Sequence, residues 1–377
     1  MASLTIEDIP QPDCAPDAPH PRETVRLLGQ EAAEASFLDA FTSARMHHAW
    51  LITGPRGVGK ATLAWRIAKF LLSQPQDDGP QDSMFGAPPV PTTLDADENH
   101  PAVRRSQSLG EPRLFLCRRP WDDKAKRLKK DITVDEVRKL KSFFALSAAD
   151  GGWRVAIVDD MDQMNTSAAN ALLKVLEEPP EKTILLLISH QPARLLPTIR
   201  SRCRNLKCVS LSPELQAAAL QQAGYENTGD AATTELSGGS VGAALRLAQA
   251  DGASRYAALV ALASTAPGFD RSAASSIAEK CVGAANAETY DITVNLIDLL
   301  LNRLARFGAL QPGNWSEAAP NEAQTLAKLA PHAHAARKWA DLAQELSARV
   351  GHARAVNLDP SGVILDMLLK LDDAARP

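Results

Sequence analysis

Ala49-Trp50-Leu51-Ile52-Thr53, then Gly54-Pro55-Arg56-Gly57-Val58-Gly59-Lys60, then Ala61-Thr62-Leu63-Ala64-Trp65: these residues decide the fold. The first run is short and wholly apolar but for its last residue, which suits a buried strand. The glycine-rich stretch reads as a turn, and Thr62 to Leu72 as a helix. Glycine lets a backbone curl until its N–H groups face a phosphate, and the helix N-terminus adds positive potential. Lys60 is placed to reach the outer phosphates. Gly54 to Lys60 thus match the first seven positions of a phosphate-binding loop, in the strand–turn–helix context that the pattern requires. The eighth position calls for a Ser or Thr hydroxyl to ligate magnesium, and here it is Ala61. Thr62 comes one residue late, and successive helix residues point about 100° apart, so it does not substitute. The expectation is weak binding of ATP or ADP, with the Mg2+ site impaired.

A second strand run, Arg154 to Val158, ends in Asp159-Asp160. An apolar strand that delivers an acid to the carboxyl edge of a sheet is how phosphate-bound magnesium is met, and Asp159 is the residue expected to face it. A strand ending in a solvated turn looks the same from this pair alone.

Working outward, Gln30 to Met46 carries Ala33, Phe37, Leu38 and Phe41 at helical spacing. Residues 1–22 are rich in proline and acids and read as a flexible leader. Residues 73–113, full of Pro, Gly, Asp and Ser, read as a low-complexity, exposed insertion. Thr133 and Glu136 form a capping-box pattern ahead of Val134, Val137, Leu140 and Phe144. Ser167 to Leu176 is helical and stops before Pro179-Pro180. Thr183 to Ile188 is a third strand and Leu206 to Leu211 a fourth. Strands alternating with helices predict a parallel α/β sheet over residues 23–211. Strand signals then vanish. Residues 212–250 read as a small helical lid and 253–377 as an all-α collar, with Ile292, Leu296, Leu299, Leu300 and Leu304 on one apolar face.

At about 150 residues per domain, 377 residues suit two or three domains. The net charge of -4 lacks the basic imbalance of a protein that binds nucleic acid by itself, so any such role is local or shared. The one concentrated exception is Arg118 to Lys130, with seven basic residues against Asp122 and Asp123. A solvated face is the ordinary meaning of such a run, and contact with DNA phosphates or an acidic partner is the alternative. Five cysteines without a CxxC pair fit reduced thiols. No signal-peptide pattern opens the sequence and no apolar run approaches the ~20 residues of a membrane span. The expectation is a cytoplasmic protein with no membrane role.

Downstream stand Asn170-Ala171-Leu172-Leu173-Lys174-Val175-Leu176-Glu177-Glu178-Pro179-Pro180 and, later, Ile199-Arg200-Ser201-Arg202-Cys203. Together with the loop and the acidic strand, they resemble the clamp-loader branch of the AAA+ family, over residues 23–250. The resemblance implies a ring of such modules, a bound nucleotide and a sliding clamp loaded on primer–template DNA. It also implies that Arg202 reaches a neighbour's ATP in trans as an arginine finger, and that Ser189 is the polar sensor at the end of its strand. Asp160 stands where the family's motors place a water-positioning Glu, and Gly242 where they place a sensor arginine. The family often carries four zinc-binding cysteines between the two nucleotide motifs. Only Cys117 lies there, so no zinc is expected. Ala61, Asp160 and Gly242 each weaken hydrolysis while Arg202 is kept, which is the pattern of the family's delta-prime type, a partner of gamma/tau and delta subunits. A working gamma/tau-like ATPase is the alternative. A branch-migration or other helicase motor is a more distant rival, and it would keep the hydroxyl and the sensor arginine.

Overall fold

Strand β1 (Ala49–Thr53) is buried at every residue, as its unbroken apolar run requires. The computed structural model describes residues 11, 14, 18–43, 45–75, 90–145, 152–225, 230–283 and 286–376. Beside β1 run β6 (Thr183–Ser189) and β7 (Arg204–Lys207); β5 (Arg154–Asp159) and β2 (Leu114–Arg118) complete the sheet. The order is β2-β5-β6-β1-β7, and every pair is parallel. Thr53 pairs with Ser189, and Val158 with Leu187. The carboxyl ends of β5, β6 and β1 therefore reach the same edge side by side.

Side chains alternate across a strand, so each run feeds two layers. Trp50, Ile52, Leu186 and Ile188 pack with Phe37, Trp65, Ile67 and Phe70 from α1 (Glu31–Thr42) and α2 (Lys60–Ser73). Ala49, Leu51, Leu185 and Leu187 pack with Val137, Leu140, Leu172 and Leu176 from α4 (Val134–Ala145) and α5 (Thr166–Glu177). Helices on both faces are why the strands read as continuous apolar runs rather than alternating ones. The chain thus forms a parallel P-loop α/β domain followed by a helical C-terminal region, the fold class expected from the sequence.

Several expectations need correction. Within 73–113, residues 76–89 lie outside the described residues, but the rest is not featureless. Helix α3 (Pro101–Gln107) is capped by the His100 ring, which accepts from the Ala102 amide, and has Pro101 in its first turn. Leu94 and Ala102 are buried in the α2 layer, and Val103 is buried as well. The capping signals were there, but the helix is shorter than any periodicity test can find. The leader likewise ends before residue 22: His20 is buried with its ring edge-on to Trp65, and Lys69 donates to the Arg22 carbonyl. Most of residues 1–17 lie outside the described residues. Strand β7 starts two residues before the expected run and stops at Lys207, because it is an edge strand with Arg204, Asn205 and Lys207 exposed. Strand β2, between the insertion and the basic run, went unread.

The chain divides into two compact units, residues 1–228 with 239–242, and residues 229–238 with 243–377. Helix α7 (Pro213–Gln222) belongs to the first and α8 (Ala231–Ser237) to the second, so the division cuts through residues 212–250. In the second unit α12 (Ala287–Leu310) packs along α14 (Ala333–Ala355). Leu296, Leu300 and Leu304 are core here, buried with Trp339 and Leu346, and present no face to a partner. Asp372, on α15 (Pro360–Ala374), accepts from the Gly268 and Phe269 amides at 2.7 and 3.1 Å.

A buried charge sits inside this unit. The Arg303 guanidinium meets Glu322 with Nε at 2.6 Å and Nη2 at 2.9 Å, Glu235 of α8 at 2.7 Å and the Ser316 carbonyl at 2.6 Å. Tyr256 Oη and the Ala318 amide donate to the same Glu322 carboxylate. Burial and Glu322 together push the Tyr256 phenol far above its usual range. Removing one member of a buried pair leaves the other charge stranded, typically at about 3–5 kcal/mol. Glu322→Ala is expected to destabilise the helical unit by about that much in urea unfolding. A loss below about 1 kcal/mol, the value of an exposed pair, refutes the buried-network account.

Candidate nucleotide site

The loop Gly54–Lys60 leaves β1 at the edge where β5 and β6 also end. Gly57 has φ +77°, and a Cβ there would lie 2.5 Å from Ser240 Oγ and 2.9 Å from Gly242 Cα. Only glycine fits that approach. The contact is polar as well: the Ser240 hydroxyl donates to the Arg56 carbonyl at 2.7 Å, and the Gly242 amide to the Gly57 carbonyl at 3.1 Å. From the other side, buried Gln30 donates to the Val58 and Val209 carbonyls at 3.1 and 2.8 Å and accepts from the Val209 amide at 2.9 Å. One amide side chain thereby ties the loop to the segment after β7.

Lys60 is buried at the start of α2. Its ammonium donates to the Gly54 and Pro55 carbonyls at 2.8 and 2.5 Å. Those dipoles favour the charged form, but burial dominates and lowers its pKa to about 8, against the pull of Cys208, Asp159, Asp160 and Asp162. Ala61 brings no oxygen. Thr62 is buried, and Val58 packs in the layer of α1 and α2.

Asp159 is the last residue of β5 and half-buried. Asp160 is committed elsewhere. Its Oδ1 caps the short 3-10 turn Met161–Gln163 through the Asp162 amide at 2.8 Å. Its Oδ2 accepts from Gln163 Nε2 at 3.1 Å and lies 3.2 Å from His190 Nε2. Burial alone would raise this carboxyl, but the His190 ring and the Asp162 amide outweigh it and hold it below the ordinary carboxylate value.

Ser189 is fully buried and donates to Asp162 Oδ1 at 2.8 Å, while Asp162 Oδ2 takes the His190 and Gln191 amides at 2.5 and 3.2 Å. Asp162, His190, Gln30 and Ser240 were not singled out in the sequence. Asp162 stood in plain view in Asp159-Asp160-Met161-Asp162, but nothing in spacing tells which acid of such a cluster turns inward.

Arg202 follows α6 (Pro197–Arg200) and is partly exposed. Its Nη1 donates to the Thr198 carbonyl at 3.0 Å and its Nη2 forms a local ion pair with Glu177 Oε1 at 3.0 Å. Cys117 and Cys208 are buried, with their thiols pushed up to about 12 and about 11 mainly by burial, which makes both poor nucleophiles. Among the described residues, no group of three or more His, Cys, Asp or Glu is placed to hold a metal ion.

The donor set fits a phosphate: a glycine loop at a helix N-terminus with a buried ammonium. At the same edge the Ala61 side chain offers no oxygen, and Asp160 is bonded to Gln163 and the Asp162 amide and lies beside His190.

Residues 29–212 match the family model described as DNA polymerase III, delta subunit. The chain is similar to DNA polymerase III subunit delta' of Escherichia coli, 30% identical over 351 residues, covering 90% of this chain and 92% of that protein. It is 39% identical over 161 residues to subunit delta' of Pseudomonas aeruginosa, 43% of each chain. It is 29% identical over 208 residues to subunit gamma/tau of Mycobacterium bovis, 53% of this chain and 31% of that one. The chain thus spans less than half the length of the latter two relatives.

The Lys60 environment has a consequence for stability. The folded chain holds the Lys60 proton less tightly than an unfolded lysine does, so folding without nucleotide releases it between pH about 8 and 10.5, and stability rises with pH across that window. In nucleotide-free thermal melts, wild type is expected to gain on Lys60→Met as pH rises through the window. A difference that stays flat shows that the ammonium is not desolvated.

Proposed function

This chain belongs to the DNA polymerase III clamp-loader family, among its delta-prime members, and from that premise we propose that it lends a guanidinium to a neighbour's ATP while hydrolysing ATP negligibly itself. One observation supports the reading: the carboxylate of Asp160 is bonded within its own turn. Asp160 caps a turn and pairs with His190. Gly242 lies against Gly57 with no side chain to offer a phosphate. Ala61 cannot ligate a metal. What the loop retains, Gly54, Pro55, Arg56, Gly57, Val58, Gly59 and Lys60, binds ATP or ADP weakly and with little help from magnesium.

Arg202 is the chemical contribution. A guanidinium keeps its charge and presents a planar fork of donors to phosphoryl oxygens. Its bond to Glu177 is solvent-exposed, and such pairs are worth only about 0.2–1 kcal/mol, so a stronger anion from a neighbour displaces it. The partners in this reading are gamma/tau and delta subunits, with the sliding clamp and primer–template DNA met through the assembled complex in the cytoplasm. Residues 23–211 act as the AAA+ domain, 212–250 as the lid and 253–377 as the collar through which the ring assembles. Because Leu296, Leu300 and Leu304 are core, the assembling face lies on other collar residues. Among the described residues, no helix is long and apolar enough to cross a membrane.

An active gamma/tau-like motor is the second reading, favoured by the intact glycine loop and buried Lys60. ATP turnover by the purified chain separates the two. Negligible turnover is expected, and Ala61→Thr alone is expected not to restore it, because Asp160 stays paired with His190. Turnover at a motor's rate, abolished by Lys60→Ala, favours the second reading.

Arg202→Ala is expected to leave the chain folded and the ring assembled, and to slow DNA-stimulated hydrolysis at the adjacent motor site by about 10³-fold or more. Arg202→Lys should rescue poorly, since it keeps the charge but not the fork. A mutant ring that hydrolyses ATP and loads clamps at the wild-type rate overturns the assignment.

A further inference from the structure

Between β2 and α4 the basic run folds into a small antiparallel hairpin, β3 (Trp121–Asp122) against β4 (Arg127–Leu128). Trp121 faces Leu128, Asp122 faces Arg127, and the Lys129 amide closes the base on the Pro120 carbonyl at 2.9 Å. Asp122 helps to close the turn: its Oδ1 accepts from the Lys124 and Ala125 amides, each at 3.0 Å. Lys124, Lys126, Arg127, Lys129 and Lys130 are all exposed. Among the described residues none of the five forms an ion pair with a carboxylate.

Some exposed cations elsewhere on this chain pair with a carboxylate, and others, such as Lys207 and Lys280, stand singly among the described residues. Arg138 pairs with Asp135, Lys139 with Glu136, Arg349 with Asp366 and Arg354 with Asp291. The hairpin gathers five exposed cations within residues 124–130, on a chain whose net charge is -4. Clustered like charges repel one another, and within the hairpin only Asp122 and Asp123 offset the five cations. A protein partner would ordinarily need an apolar anchor at the centre of its contact. No large hydrophobic side chain from 110 to 145 is exposed. A surface of cations without an apolar centre suits phosphates, whose contacts position a nucleic acid without reading its sequence.

We propose that the Trp121–Lys130 hairpin is a binding site, carried by this chain itself, for the phosphodiester backbone of DNA. The site requires only phosphates. It goes beyond the clamp-loader reading, and its failure leaves that reading standing.

The test is fluorescence anisotropy of the purified full chain with labelled duplex and single-stranded oligonucleotides, from about 50 to 200 mM salt. Affinity should fall steeply with salt, and the two oligonucleotides tell which form of DNA the hairpin takes. The triple variant Lys124→Gln, Arg127→Gln, Lys129→Gln should lose at least about tenfold at low salt and flatten the log–log salt slope by about 2 to 3. Lys280→Gln with Arg337→Gln, exposed cations far from the hairpin in sequence, should change neither. Should the triple variant fail to fold, Lys124→Gln and Lys129→Gln singly are expected to lower the slope by about 1 each. The proposal is overturned if wild type binds neither oligonucleotide at low salt, if the hairpin variants bind as wild type does, or if polyglutamate binds at least as tightly as DNA.

Discussion

Everything at the carboxyl edge depends on the parallel pairing of β6 between β5 and β1. All three strands are buried, so their peptide groups have no solvent to turn to and must be satisfied within the ladder. A slip of one residue would send Leu186 and Ile188 to the opposite layer and leave two mismatched cores. The register is therefore fixed by packing far from any ligand, and it sets Gly54, Ser189 and Asp159 side by side. The chemistry of the site inherits its geometry from the hydrophobic layers beneath it.

The same need for satisfied polar groups governs the acids at the end of β5. Asp160 is buried, and a buried carboxylate needs partners. In a working site a metal-held water or a substrate can supply them. Here His190, Gln163 and a backbone amide do, and the result is a well-bonded turn. Asp162 is bonded as fully, by Ser189 and two amides. A carboxylate surrounded by fixed donors is well placed to hold a strand end.

Much of this was legible because its signals are local. The loop Gly54–Lys60, the acids after β5 and the helix Thr166–Glu177 each declare themselves within a dozen residues, and the structure puts them where the pattern required. Other features depend on contacts distant in sequence. Gln30 looks like an ordinary helix-start residue until the fold brings Val58 and Val209 to its amide. Leu296, Leu300 and Leu304 show a stripe, but a stripe cannot say whether it meets a partner or the chain's own α14. Helix α3 and strand β2 failed for another reason. Both are short, and they lie beside stretches rich in proline or charge, where a window of periodicity averages their signal away. The fourth strand was found but misplaced, because an edge strand with polar residues on its open side does not alternate cleanly.

Asp372 has a consequence for the order in which the molecule is made. Its carboxylate binds the Gly268 and Phe269 amides across 104 and 103 residues of chain. At a synthesis rate of about 5–20 residues per second, the turn at Gly268 waits on the order of 5–20 s for its partner to appear. The first unit has its last strand, β7, by residue 207 and begins to fold while the ribosome is still working on the rest. The helical unit has no such freedom: α10 (Gly252–Ser264) waits for α12, and α11 (Arg271–Glu279) emerges with its apolar face uncovered until α15 appears. During that interval a nascent chain carries a sheet domain whose strands are all made, followed by helices with apolar faces still open, the stage at which a chaperone has most to offer.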